Sequence, residues 1–136
     1  MTVTDEREPA LRLLDERSRT AIEIAVAQWV GSEQCTSAAR RRLLELGVDG
    51  DEIERHRRGD ARDPALRALL RFAVTTLIAR GRVDATDFAR MRPRPSDALL
   101  AETAAVTARA FLRVTLAESL GLHGDAPPLA MAIGDY

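Results

Sequence analysis

The sequence predicts an all-α protein, and three observations carry that prediction. Ala, Leu, Arg and Glu, all good helix formers, dominate the chain. Apolar residues recur at three- and four-residue spacing, and no stretch alternates with the period of a strand. Asp and Ser residues precede the periodic segments and Gly residues follow several of them, as caps and stops do. With 136 residues and 46% hydrophobic composition, the chain is expected to fold as one domain of six or seven helices over residues 1–121, followed by a tail over 122–136.

A first helical segment is expected over Glu8 to Arg17, with Ala10, Leu11 and Leu14 on one face. Asp15 or Ser18 then caps a helix running to about Val30. Its residues Ala21, Ile22, Ile24, Ala25, Val26, Ala27 and Trp29 lie nearly all round, the mark of a buried central helix. Gly31 breaks the pattern, and a helix from Ser32 or Cys35 to Leu46 places Leu43, Leu44 and Leu46 inward. Gly47 stops it. Asp49 or Asp51 caps a short charged helix around Glu52 to Arg58, ended by Gly59. Asp63-Pro64 is a strong helix start, since Asp caps well and Pro fits the first turn. The apolar period that follows, from Leu66 through Leu69, Leu70, Ala73, Val74 and Leu77 to Ile78, reaches Gly81. Asp84 caps a short helix through Phe88 to Met91, stopped by Pro93 and Pro95. Ser96 opens the last long helix, with Leu99, Leu100, Thr103, Val106, Ala110, Phe111 and Val114 inward and an end near Gly121.

Composition narrows the chemistry. Twenty basic residues stand against twenty-one acidic ones, for a formal net charge of -1, which supplies no field for nucleic acid or an anionic membrane. Aromatic residues are 4% of the chain, too few for base stacking along a single strand. Every basic residue is Arg, so Schiff-base and P-loop lysine mechanisms are excluded. One Cys and two His build neither an intrachain disulfide nor a Cys/His zinc site, and no HxxxH, HExxH or ExxH spacing occurs. No cofactor is indicated. The polar, acidic start and the lack of a long apolar run predict a cytoplasmic protein.

The order of elements from Leu14 to about Gly121 resembles the alkylhydroperoxidase D-like, or carboxymuconolactone decarboxylase, family. The resemblance runs through Leu14-Asp15-Glu16-Arg17 with Ala21 to Trp29, Cys35 and the helix ending at Gly47, and the acidic start Val48 to Ile53. It continues through Asp63-Pro64, the Val83 to Phe88 start and the final long helix. It implies an all-α, homo-oligomeric bundle. Active peroxidases of that family carry Cys-x-x-Cys-x-x-x-His with an upstream Glu. On this chain Cys35 matches the second cysteine, Ser32 stands at the first, Ala39 at the histidine, and the Glu falls near Thr20, with Glu23 one turn on. The resemblance therefore implies the fold and a binding or accessory role, the two-cysteine peroxidase site being lost.

Two residues remain as site candidates. Cys35, at the start of its helix with Arg40, Arg41 and Arg42 further on, is either a working thiol, with an external thiol as reductant, or a packing residue. Glu33 and the lack of a neighbouring His speak for packing. Glu23, in an otherwise apolar helix, is either a general base in a pocket or one half of an ion pair with Arg from another helix or subunit. The alternatives to a binding role are thus a one-cysteine peroxidase built on Cys35 and a thiol-independent decarboxylase or isomerase using Glu23. His56, among Glu54, Arg55, Arg57 and Arg58, is expected on a solvated face, and His123 in a loop. The Arg clusters at 40–42 and 55–58 alternate with acids, the pattern of surface ion pairs or subunit contacts. Wide apolar faces after Asp63 and Ser96 predict a homo-oligomer, with a small-molecule ligand or a partner enzyme as the remaining class of partner.

Overall fold

A computed structural model describes residues 13–121. These residues form six helices: α1 (Glu16–Val30), α2 (Glu33–Glu45), α3 (Gly50–Arg57), α4 (Pro64–Ile78), α5 (Ala85–Ala89) and α6 (Asp97–Leu120). Among the described residues there is no strand, and no helix is long and apolar enough to cross a membrane.

Every helix starts on a side-chain cap. Asp15, Ser32, Asp49, Asp63, Asp84 and Ser96 each take an extended backbone and accept a hydrogen bond from the N–H three residues on. The donor satisfied is one of the orphans of the first turn, worth about 1 kcal/mol per cap. Caps therefore decide the boundaries left open by the sequence: Asp15 rather than Ser18, Ser32 rather than Cys35, Asp49 rather than Asp51. Asp15 also limits the expected first helix, because Leu13 to Asp15 are not helical. The Leu13 and Leu14 N–H groups donate instead to the Glu102 carboxylate on α6, at 2.6 and 2.9 Å. The rest of that expected segment, residues 8–12, and the expected tail with His123 lie outside the described residues.

α1 is the central helix and packs on α2, α3, α4 and α6. Its apolar circumference serves two cores. Ala21, Ile22, Ala25 and Val26 join Leu69, Leu70, Phe72 and Ala73 of α4 and Leu100 and Ala110 of α6. On another side, Ile24 packs with Leu43 of α2, Val48 and Ile53 of α3, and Ala39. Gly59 has a positive φ of 76°, and a Cβ there would press on the Val74 side chain at 3.1 Å, so glycine lets the α3–α4 turn close against α4.

Several faces differ from the sequence expectation. Trp29, Leu44, Ile78 and Phe111 are exposed, and Leu46 is half-buried. Trp29 lies in the last turn of α1, where Phe111 of α6 meets it at a ring-centroid distance of 6.3 Å. α2 is narrower than three inward leucines require, and only Thr36 and Leu43 of that helix are buried. α4 stops at Ile78, short of Gly81.

His56 is the largest departure. It is buried, not solvated. Nδ1 sits 3.1 Å from the Asp60 carbonyl, and Nε2 lies 3.7 Å from the Glu52 carboxylate. A carbonyl only accepts, so Nδ1 carries the proton toward Asp60. The charged neighbours in sequence fan outward around it: Arg55 pairs with Asp60, Arg57 with Glu54, and Arg62 with Asp49.

Candidate functional site

The α1–α2 turn is built from the sequence Val30-Gly31-Ser32. Gly31 takes the left-handed conformation, φ 93°, and returns its N–H to the Ala27 and Gln28 carbonyls. The Ser32 N–H also reaches Ala27, at 3.0 Å. This closed α1 terminus brings Ser32 to the head of α2, where its side chain is buried. The Ser32 hydroxyl accepts from the Cys35 N–H at 3.2 Å and donates its proton to the Glu118 carboxylate in the last turns of α6. Both capacities of the hydroxyl are used in joining α1, α2 and α6.

Cys35 is the third residue of α2 and is half-buried. Its backbone N–H is taken by the cap. The arginines further along α2 do not converge on it. Arg42 pairs with Glu16 and Glu45, and Arg40 and Arg41 are exposed. Ala39, one turn after Cys35, packs against the second core. Thr20, at the position the resemblance gives to the upstream acid, is buried with its hydroxyl donating to the Glu16 carbonyl.

Glu23 meets α6. Its carboxylate lies 3.8 Å from the Arg113 guanidinium, and both side chains are a little over one-third exposed. Burial pushes the Glu23 carboxyl above its ordinary range, opposed by the positive charges of Arg113 and Arg19. The Arg113 Nε is buried with no hydrogen-bond partner in the described structure. The ion-pair reading of Glu23 thus has a named partner on another helix. The two candidates have different neighbours: Cys35 belongs to the Ser32–Glu118 cap, and Glu23 to the seam with Arg113.

Elsewhere the carboxylates serve the fold. The Ser18 N–H holds Asp15 below the ordinary carboxylate range, and the Glu52 N–H with the Arg62 guanidinium does the same for Asp49. The Ala61 N–H, helped by Arg67 and Arg55, lowers Asp60. Among the described residues, no group of three or more His, Cys, Asp or Glu is placed to hold a metal ion.

Scans of the chain against protein-family models, curated proteins and solved structures return no match.

The partners Arg113 and Glu118 were not singled out by sequence reasoning. The available signal was the one that drew attention to Glu23: a charged residue interrupting a mostly apolar helix needs a partner. α6 has such residues at Glu102, Arg113 and Glu118, and each meets a group from an earlier segment. The partner's identity required the tertiary fold.

Proposed function

We propose that this chain is an alkylhydroperoxidase D-like bundle without the two-cysteine peroxidase site, working as a homo-oligomeric binding or accessory protein. One observation carries the reading. Ser32, at the position of the first cysteine, is a buried cap whose hydroxyl serves the Cys35 N–H and the Glu118 carboxylate. A dithiol cycle needs a second sulfur within reach of the first, and the chain has a single Cys. Ala39, at the histidine position, offers no proton acceptor. The exposed Trp29, Phe111 and Leu112 support the oligomer.

The test is hydroperoxide consumption by the purified protein with a dithiol reductant, beside Cys35→Ala. The expected result is a background rate for both. Turnover that disappears in Cys35→Ala supports the one-cysteine peroxidase instead. A second reading, proton transfer by a pocket carboxyl, draws support from Glu23, half-buried beside Arg113. It requires a ligand whose binding is lost in Glu23→Gln.

A further inference from the structure

α6 is 24 residues long, about 36 Å at 1.5 Å per residue. Its inward face is spent on the main core and on α1 through Leu100, Thr103, Thr107, Ala110, Val114 and Ala117. From Ala101 to Leu112 the opposite face carries no charge. In helical projection Ala101, Ala105, Ala108, Phe111 and Leu112 share one arc of about 120°, and all five are exposed. Phe111 extends this face onto α1 through Trp29, itself 45% exposed. Within this stretch the charged residues lie along one edge, Glu102 and Arg109, while Asp97 and Glu118 lie beyond its two ends. Glu102 is anchored by the Leu13 and Leu14 N–H groups, and Arg109 makes no ion pair among the described residues.

We infer that this face of α6 is the contact between two copies of the chain, packed antiparallel about a two-fold axis near residues 106–107. The inference rests on the homo-oligomer reading above and specifies its surface. Two features favour a second copy as the occupant. The first is the order of large and small side chains. An antiparallel pair centred there sets Ala101 against the partner's Leu112, and Ala105 against the partner's Ala108. Phe111 then lies over the partner's Ala104. Large residues meet small ones in the outer layers and alanine meets alanine at the centre, which lets two helices approach to about 8–10 Å. The second is charge. The same register brings Arg109 beside the partner's Glu102, and by symmetry Glu102 beside the partner's Arg109. An isologous contact requires such self-complementarity, and opposite charges flanking an apolar seam fix orientation. A parallel pair would instead set each Glu102–Arg109 edge against the partner's uncharged Phe111 edge, leaving both charges without an opposite.

Light scattering at micromolar concentration on the full chain, with Ala105→Arg, Arg109→Glu and the control Ser37→Arg on the exposed side of α2, tests the inference. Wild type and the control are expected at twice the chain mass or a multiple of it. Ala105→Arg is expected at the single-chain mass with its helical circular dichroism kept, because Ala105 touches solvent in the isolated chain. Arg109→Glu sets like charges together and raises the dissociation constant at least about tenfold. Cysteine cross-linking guards against a misfolded variant: Ala105→Cys in a Cys35→Ser background is expected to give a covalent dimer with a short bis-maleimide. A wild type of single-chain mass overturns the oligomer reading and this inference together. An oligomer indifferent to both α6 substitutions, or one without the Ala105→Cys cross-link, overturns the α6 face and leaves the oligomer standing.

Discussion

The Ser32 hydroxyl donates to the Glu118 carboxylate while accepting from the Cys35 N–H, so one buried side chain joins the head of α2 to the last turns of α6, 86 residues away in sequence. That hydroxyl is a structural tie between the two helices.

Ser32→Ala is therefore expected to destabilise the fold by about 1–2 kcal/mol, from the lost cap and the lost bond to a carboxylate. Denaturant unfolding measures it. Ser32→Cys is expected to destabilise as well, and to leave hydroperoxide consumption at background, since Ala39 still supplies no base. Unchanged stability in Ser32→Ala would remove the tie from the account.

Glu23 gives a pH prediction. Its folded carboxyl lies above the ordinary value of 4.5, chiefly because burial disfavours its charge. The fold then binds this proton more tightly than the unfolded chain does. The stabilisation is fully present below the unfolded value and is lost as pH rises through the higher folded value. Glu23→Gln has no such loss. Its denaturation midpoint is expected to gain on wild type as pH rises from about 4 to 7. A constant gap, or a wild type that gains, contradicts the burial argument.

The acidic caps Asp15 and Asp49, and Asp60 with its Ala61 N–H, carry the opposite sign. Asp15, Asp49 and Asp60 lie below the ordinary value of 3.8, so their contribution is present above that value and lost as pH falls through the folded values. Asp49→Ala, which removes both the α3 cap and the Arg62 pair, is expected to narrow the loss of stability between pH 5 and pH 2. A variant that loses stability over this range as steeply as wild type would show that Asp49 does not contribute.

His56→Ala is expected to cost about 2–4 kcal/mol. It empties a buried site and leaves the Asp60 carbonyl without the imidazole donor. A solvated histidine would cost less than about 0.5 kcal/mol, so calorimetry or urea unfolding separates the two.

The helices were legible in the sequence because caps and stops are local. Asp63-Pro64, Ser96 and Gly31 each act within one turn of their own position. α1 was legible as the central helix because its apolar residues go all round. Burial at individual residues was less legible. His56 reads as solvated among four charged neighbours, but a helix turns each residue 100° from the last, and His56 falls one turn after the buried Ile53, on the inward side of α3. Phe111 reads as core by type and is exposed, since α6 already fills its inward face with smaller side chains. For the candidate site, Cys35 and Glu23 were visible as unusual residues. The partners around them, Glu118 and Arg113, depend on where α6 crosses α1, a contact between segments about 90 residues apart, which no local pattern encodes.

Reaction with a disulfide reagent separates a Cys35 that packs from a Cys35 that works as a thiol. A packing residue gives a native rate at pH 7 slower than that of a free small-molecule thiol, becoming fast on denaturation, and this is the expected result. Cys35→Ala is then expected to cost about 1 kcal/mol of stability by removing partly buried volume. A native rate above that of the free thiol, falling as pH is lowered, would contradict the packing role and make Cys35 the reactive centre.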